Sequence, residues 1–300
     1  MKNQNGNKIN KKAIRVGVHK KYPYEIVPGH MVSPARYSFQ RKVTAILPQY
    51  LTDNDKTVLD FGCGSGVWRF LFQGKKYTGI DVYDDNYMEK SNGNYQLKIA
   101  DGRKLPFKDN SFDFVFSNAV LEHIVENKQA AKETFRVLKK GKYCVVIVPT
   151  NISPMYDEYP FLPLKVLGFE GHGDHYYSKK EICKLLEEAG FKVVHVSHSM
   201  GFYGALLKMF YVYFRLPRYL WQNMMFVLFE KKYPIRSLYS DSITWKSRNI
   251  AELHTIQKKE YKKQKNPLRR FYRGLQEIAY HLDQRSKKLG GEWCVVVKKE

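Results

Sequence analysis

The chain has 300 residues and a net charge of +22, with 43% hydrophobic and 15% aromatic side chains. That length and apolar content suit one large domain, or a domain with an elaborate insertion, and exclude a disordered or fibrous protein. Four cysteines (Cys63, Cys144, Cys183 and Cys294) fall in no metal-type spacing and three of them sit within predicted regular elements, so they read as buried thiols of a reducing compartment rather than a disulfide framework.

The N-terminal stretch to residue 32 is a basic arm without the apolar core of a secretory signal, and its part from Met1 to Lys21 reads as disordered. Ser33-Pro34 then has the form of a helix start, and Ala35 to Leu47 follows as a leading helix. Next comes the most informative stretch, Thr57-Val58-Leu59-Asp60-Phe61-Gly62-Cys63-Gly64-Ser65-Gly66. A short apolar strand ends in a carboxylate, and three glycines at alternate positions form a turn whose backbone N–H groups can approach a ligand closely. Val67 to Gln73 reads as a helix start, which would add its own orphan N–H groups. The dinucleotide fingerprint is G-x-G-x-x-G, with a pyrophosphate on the helix end. Here the spacing is D-x-G-x-G-x-G, and Asp60 would repel a pyrophosphate while suiting an ammonium group.

This pattern resembles the first motif of the class I S-adenosylmethionine-dependent methyltransferases, and the sequence downstream keeps the likeness. Tyr77 to Asp81 is a second strand ending in an acid that can accept both ribose hydroxyls, followed by Val82. Tyr95 to Ala100 is a third strand running into Asp101-Gly102, and the resemblance puts this acid beside the adenine amino group. Leu105-Pro106-Phe107 and Ser111-Phe112-Asp113 lead to a fourth strand. Ser117-Asn118-Ala119-Val120-Leu121-Glu122-His123 matches the segment that closes over the cofactor. The resemblance therefore implies S-adenosylmethionine held by Asp60, Gly62, Cys63, Gly64, Gly66, Asp81, Val82, Asp101, Gly102, Ser117, Asn118 and His123.

Ala131, Phe135 and Leu138 share one face of a predicted helix that Gly141 stops, and Tyr143 to Val148 is a nearly all-apolar strand. Ser178 opens a helix with Glu181 in a capping box; Ile182, Leu185, Leu186 and Ala189 form its buried stripe, and Gly190 ends it. Phe191 to Ser197 is again a strand, and the last apolar run, Trp293 to Val297, is the strand that the resemblance implies to be antiparallel. This alternation predicts an α/β fold, a doubly wound, mostly parallel seven-stranded sheet, with a long helical insertion before the last strand. The division is a basic arm over 1–32, a cofactor-binding core over 33–199, the insertion over 200–290 and the final core strand over 291–300.

The charge is unevenly placed. Residues 51–200 carry 20 basic and 20 acidic side chains, residues 1–50 carry 10 and 1, and residues 201–300 carry 21 and 8. A polyanionic partner for the extensions follows: membrane headgroups, nucleic acid or an anionic carrier. From Phe202 to Phe229 the insertion is aromatic and apolar but broken by Lys208, Arg215 and Arg218, so it does not span a bilayer. It is either an interfacial element on an anionic membrane or a lid or dimer contact. Lys258, Lys259, Lys262, Lys263, Lys265, Arg269, Arg270 and Arg273 then form a basic run.

Two absences bear on the acceptor. Ser117-Asn118-Ala119-Val120 is not the (Asp/Asn/Ser)-Pro-Pro-aromatic tetrapeptide of exocyclic amine methylation, and no cysteine stands in a Pro-Cys context. That favours O- or C-methylation of a small-molecule, glycan or lipid-linked acceptor by a cytoplasmic enzyme, peripheral at the inner membrane face through residues 202–273. An RNA methyltransferase using its basic extensions and a non-catalytic cofactor-binding protein are the other readings. The resemblance implies a base in the segment before the Ser178 helix: His175, with His172 second.

Overall fold

The computed structural model of the protein describes residues 34–64, 68–72, 74–82, 95–151, 175–199, 201–207, 210, 267–285 and 290–300. The arm over 1–32, Gly66, His172 and most of the 200–290 insertion lie outside the described residues. Two compact units emerge. The first comprises residues 1–27, 40–199 and 290–300, and the second comprises residues 28–39 and 200–289.

The first unit is built on seven strands: β1 (Thr57–Phe61), β2 (Lys76–Asp81), β3 (Tyr95–Ile99), β4 (Phe112–Asn118), β5 (Leu138–Pro149), β6 (Lys192–Ser199) and β7 (Glu292–Lys298). They form one sheet in the order β3-β2-β1-β4-β5-β7-β6. β1 to β5 are parallel, while β7 lies antiparallel between β5 and β6. The central strands are apolar on both faces, as a sheet covered on both sides requires: Val58, Leu59 and Phe61 of β1 and Phe114, Val115 and Phe116 of β4 are all buried. β1 has β2 on one side and β4 on the other, so the chain changes winding direction there. The carboxyl ends of β1 and β4 flank this reversal, the position of the ligand crevice in doubly wound sheets.

Asp113 pins the opposite, amino-terminal ends. Its Oδ2 accepts from the N–H groups of Lys56 and Thr57 and from the Thr57 hydroxyl, all at 2.9 Å, and its Oδ1 accepts from Lys139 at 2.9 Å. Burial alone would raise this carboxyl, but the Lys139 ammonium and the backbone donors hold it well below the usual carboxylate range.

Three helices accompany the sheet: α1 (Pro34–Tyr50), α2 (Asn127–Val137) and α3 (Lys179–Glu188). α1 buries Val43, Ile46 and Leu47. α3 has the expected capping box, with Glu181 N–H donating to Ser178 Oγ and Ser178 N–H donating to Glu181 Oε2, and Gly190 follows it at φ +104°.

Two sequence expectations fail. α2 ends at Val137, and Leu138, read as part of the helix face, already pairs with Phe112 in β5. Gly141 does not stop the helix; its φ of +75° serves an irregularity in β5, where the pairing register with β4 shifts. The carbonyls at the end of α2 need no glycine. Lys299 Nζ donates to Phe135 O and Arg136 O, and the N–H groups of Asn110 and Ser111 reach Arg136 O and Val137 O. The second failure is the helix expected over Val67 to Gln73. Its described part is a 3-10 turn, Arg69–Phe72, after which Gly74 at φ +82° sends the chain straight into β2.

In the second unit, α4 covers residues 202–207, Phe210 is also helical, and α5 runs from Pro267 to Arg285. Asp283 of α5 is fully buried and caps α4. Its Oδ2 accepts from Gly201 N–H at 2.8 Å and Gly204 N–H at 2.9 Å, and its Oδ1 accepts from Tyr203 N–H at 2.9 Å. A carboxylate there meets the orphan N–H groups of a helix N-terminus and its partial positive charge. A Cβ on Gly201 would stand 2.6 Å from Asp283 Oδ1, so only glycine fits.

Candidate active site

Asp60, Gly62, Cys63, Gly64, Asp81 and Ser117 meet at the adjoining ends of β1, β2 and β4, where Phe61 registers with both Ile80 and Ser117. The glycine turn is tightly specified. Gly62 has φ +73°, and a Cβ there would lie 2.1 Å from a Val120 methyl carbon; Gly64 has φ +50° and open space where a Cβ would be. The N–H groups of the described part of the turn are bonded within the protein. Those of Gly62 and Cys63 both donate to Ile80 O, at 2.9 and 2.8 Å, and that of Gly64 donates to Asp81 Oδ2 at 2.8 Å. Residues 62–64 are thus stitched to β2, with open space at the Cα of Gly64.

Asp60 points into the protein with 1% of its surface exposed. Its Oδ2 accepts a 2.5 Å hydrogen bond from the Tyr77 hydroxyl, and its Oδ1 has no partner. Burial pushes the carboxyl up to about 7, the Tyr77 bond works against that, and the nearby Asp81 adds to it. Asp81, at the tip of β2, also accepts from Val82 N–H at 2.8 Å, so this carboxylate both fixes the turn and stands at the crevice. Val82 itself is exposed.

On β4, Ser117 is buried with its Oγ unpartnered, and half-exposed Asn118 ends the strand. Ala119 then takes φ +55°, a left-handed conformation that costs an alanine free energy and tends to mark functional sites. This sharp turn delivers Val120 onto Gly62. Beyond it, Glu122 is buried in the 3-10 turn Leu121–His123 with Oε2 unpartnered. Burial lifts its carboxyl to about 8, a backbone hydrogen bond opposes that, and Glu292 adds to it. The motif reading passed over Glu122; the signal available was a glutamate beside the apolar run Ala119-Val120-Leu121. His123 is exposed.

At the end of β3, Asp101 is exposed and clasped by Arg103, whose guanidinium bonds both its oxygens and also pairs with Glu126. The Arg103 side-chain bonds, then its backbone N–H, hold Asp101 at about 2. Gly102 is required, because a Cβ would stand 2.5 Å from the Phe61 ring.

Tyr177 anchors the other flank. It forms a parallel bridge with Thr150, just beyond β5; its hydroxyl donates to Leu121 O at 3.1 Å and accepts from Asn127 Nδ2 at 2.9 Å. The exposed His175 lies edge-on to the Tyr177 ring, 4.4 Å between centroids, so it is held at the carboxyl edge of β5. Three buried side-chain oxygens have no partner near the carboxyl ends of β1 and β4: Asp60 Oδ1, Ser117 Oγ, which the register sets on the opposite face of the sheet, and Glu122 Oε2 in the turn beyond. Unsatisfied groups of this kind are costly, and the arrangement suits a ligand that brings hydrogen-bond donors and positive charge. Among the described residues no group of three His, Cys, Asp or Glu side chains could hold a metal ion.

Residues 31–196 match the family described as a methyltransferase domain. An uncharacterized protein of Methanocaldococcus jannaschii is 32% identical over 168 residues, 56% of this chain and 68% of that protein. The demethylmenaquinone methyltransferase of Staphylococcus aureus is 29% identical over 178 residues, 48% of this chain and 70% of that enzyme. Among solved structures, an S-adenosylmethionine-dependent methyltransferase from Methanosarcina mazei is similar, with 26% identity and a TM-score of 0.41, covering 51% of this chain and 87% of that one.

Proposed function

The chain belongs to the class I S-adenosylmethionine-dependent methyltransferase family, and on that premise we propose that it methylates a hydroxyl of a small-molecule, glycan or lipid-linked acceptor. The cofactor supplies a methyl group on a sulfonium, electrophilic enough for in-line displacement. The residues present fit it. Asp60, with one buried oxygen unpartnered, would hold the ammonium of the methionine part. Asp81 would take the ribose, Gly64 leaves room for close approach, and Asp101 with Gly102 would border the adenine.

The observation that carries the acceptor reading is the bridge between Thr150 and Tyr177. It supports a role for His175 at the carboxyl edge of β5, across from the donor residues on β1 and β2. An imidazole titrates near neutrality, so it can take the proton that a hydroxyl must lose as it gains a methyl. The Ser117-Asn118-Ala119-Val120 sequence argues against nucleic-acid amines, and the relative named demethylmenaquinone methyltransferase agrees with an acceptor outside nucleic acid. The buried thiols of Cys63, Cys144 and Cys294 support a reducing, cytoplasmic setting.

The test is incubation with methyl-labelled cofactor and fractionated lipids, sugars and RNA, followed by identification of the labelled bond. Label on an ether oxygen supports the reading; label confined to RNA, or on nitrogen, refutes it. With the acceptor in hand, His175→Ala is expected to lower kcat about 100-fold or more while cofactor affinity holds, given what a positioned base contributes. Unchanged turnover removes His175 from the chemistry.

A further inference from the structure

α4 and α5 each carry a row of exposed apolar side chains. On α4, Phe202 and Leu206 are four residues apart and 52% and 40% exposed, and Phe210 continues the spacing at 56%. On α5, Phe271, Ile278 and Leu282 are 69%, 58% and 36% exposed, and spacings of seven and four set them along one face. That face is not the helix's packing face. Gln276, Ala279, Tyr280 and Asp283 are buried on a different side, where Asp283 caps α4. Large apolar side chains in rows, rather than scattered singly, mark an interaction surface.

The charge carried by this stretch of the sequence selects the partner. Residues 201–300 carry 21 basic and 8 acidic side chains, whereas residues 51–200 are balanced at 20 each. No described helix is long and apolar enough to cross a membrane. Aromatic and aliphatic stripes with a basic excess, at sub-spanning length, are what an element lying in the headgroup region needs. Apolar side chains enter the acyl boundary, and lysines and arginines meet anionic lipid. We propose that the stripes of α4 and α5 form a docking surface for an anionic lipid bilayer. A second copy of the chain would use the apolar rows but leave the basic excess facing itself; RNA would use the charge but leave the aliphatic rows in water.

Flotation of the full-length protein with vesicles tests this, against equal parts phosphatidylglycerol and phosphatidylcholine and against phosphatidylcholine alone. Capture by the anionic vesicles, lost at high salt, is expected. The double variant Phe271→Ser/Ile278→Ser changes only exposed positions and is expected to bind the vesicles about ten-fold more weakly, from the apolar area no longer buried. Its circular dichroism and its cofactor affinity should match the parent, a readout that separates failure of docking from failure of the methyltransferase reading. Equal capture by both vesicle types, or none, overturns the proposal. So does a variant that floats like the parent, and so does a dimer that the double variant abolishes.

Discussion

Asp60 shows how a single side chain couples fold to ligand. Its folded carboxyl sits at about 7 because of burial, with the Tyr77 bond opposing and Asp81 adding, against an ordinary 3.8. The raised value means that the ligand-free folded chain keeps a proton that the unfolded chain has already released. Its stability therefore falls as pH rises between about 4 and about 7. An ammonium against Oδ1 reverses the preference by favouring the ionised carboxylate. Cofactor affinity is accordingly expected to strengthen from about pH 5 to about pH 7, and Asp60→Asn to flatten that profile and weaken binding about 10-fold or more. Calorimetric titration across that range decides it, and a parent profile without slope would detach Asp60 from the cofactor. The acids at the strand tips were legible in sequence because strand ends, glycine spacing and charge are local. The Tyr77 partner of Asp60, the orphaned Glu122 carboxyl and the Val120 that closes on Gly62 were not. Each depends on neighbours brought together by sheet register rather than by chain order.

At the level of elements, caps carry much of the organisation. The Ser178 and Glu181 box is a local device that three residues of spacing announce. Asp283 performs the same task from about 80 residues away, for a helix that has only glycines and aromatics at its own start. Asp283→Ala is expected to destabilise the protein by about 3 kcal/mol or more, since three N–H groups, two of them in buried hydrogen bonds, lose their carboxylate acceptor. Denaturant unfolding measures this, and a loss below about 1 kcal/mol would show that water satisfies those donors instead. The same contrast explains where the sequence misled. Gly141 and the 67–73 segment looked like helix punctuation, yet Lys299 caps α2 from beyond β7, and Gly74 leaves room for a single 3-10 turn.

For the whole molecule, the mostly parallel sheet covered on both faces followed from alternating apolar strands and helices, whereas the strand order emerges only from the structure. The two-unit division is less legible. The leading residues 28–39 join the unit formed by 200–289, a grouping that long-range packing decides and composition does not. If the first unit is a cofactor domain, S-adenosylhomocysteine at a hundred-fold excess over its dissociation constant should add about 2.7 kcal/mol of stability. Scanning calorimetry with and without that ligand checks it; identical melting curves would leave the crevice without its expected occupant.

The place of β7 has one further consequence. It occupies the slot between β5 and β6, yet it enters the chain more than 90 residues after β6 ends. While a ribosome is still making the second unit, β6 has no hydrogen-bonding neighbour and β5 presents a bare edge. The sheet then stays open until the far side of the second unit has been synthesised, and for that interval these edges are the nascent chain's most exposed point for mispairing.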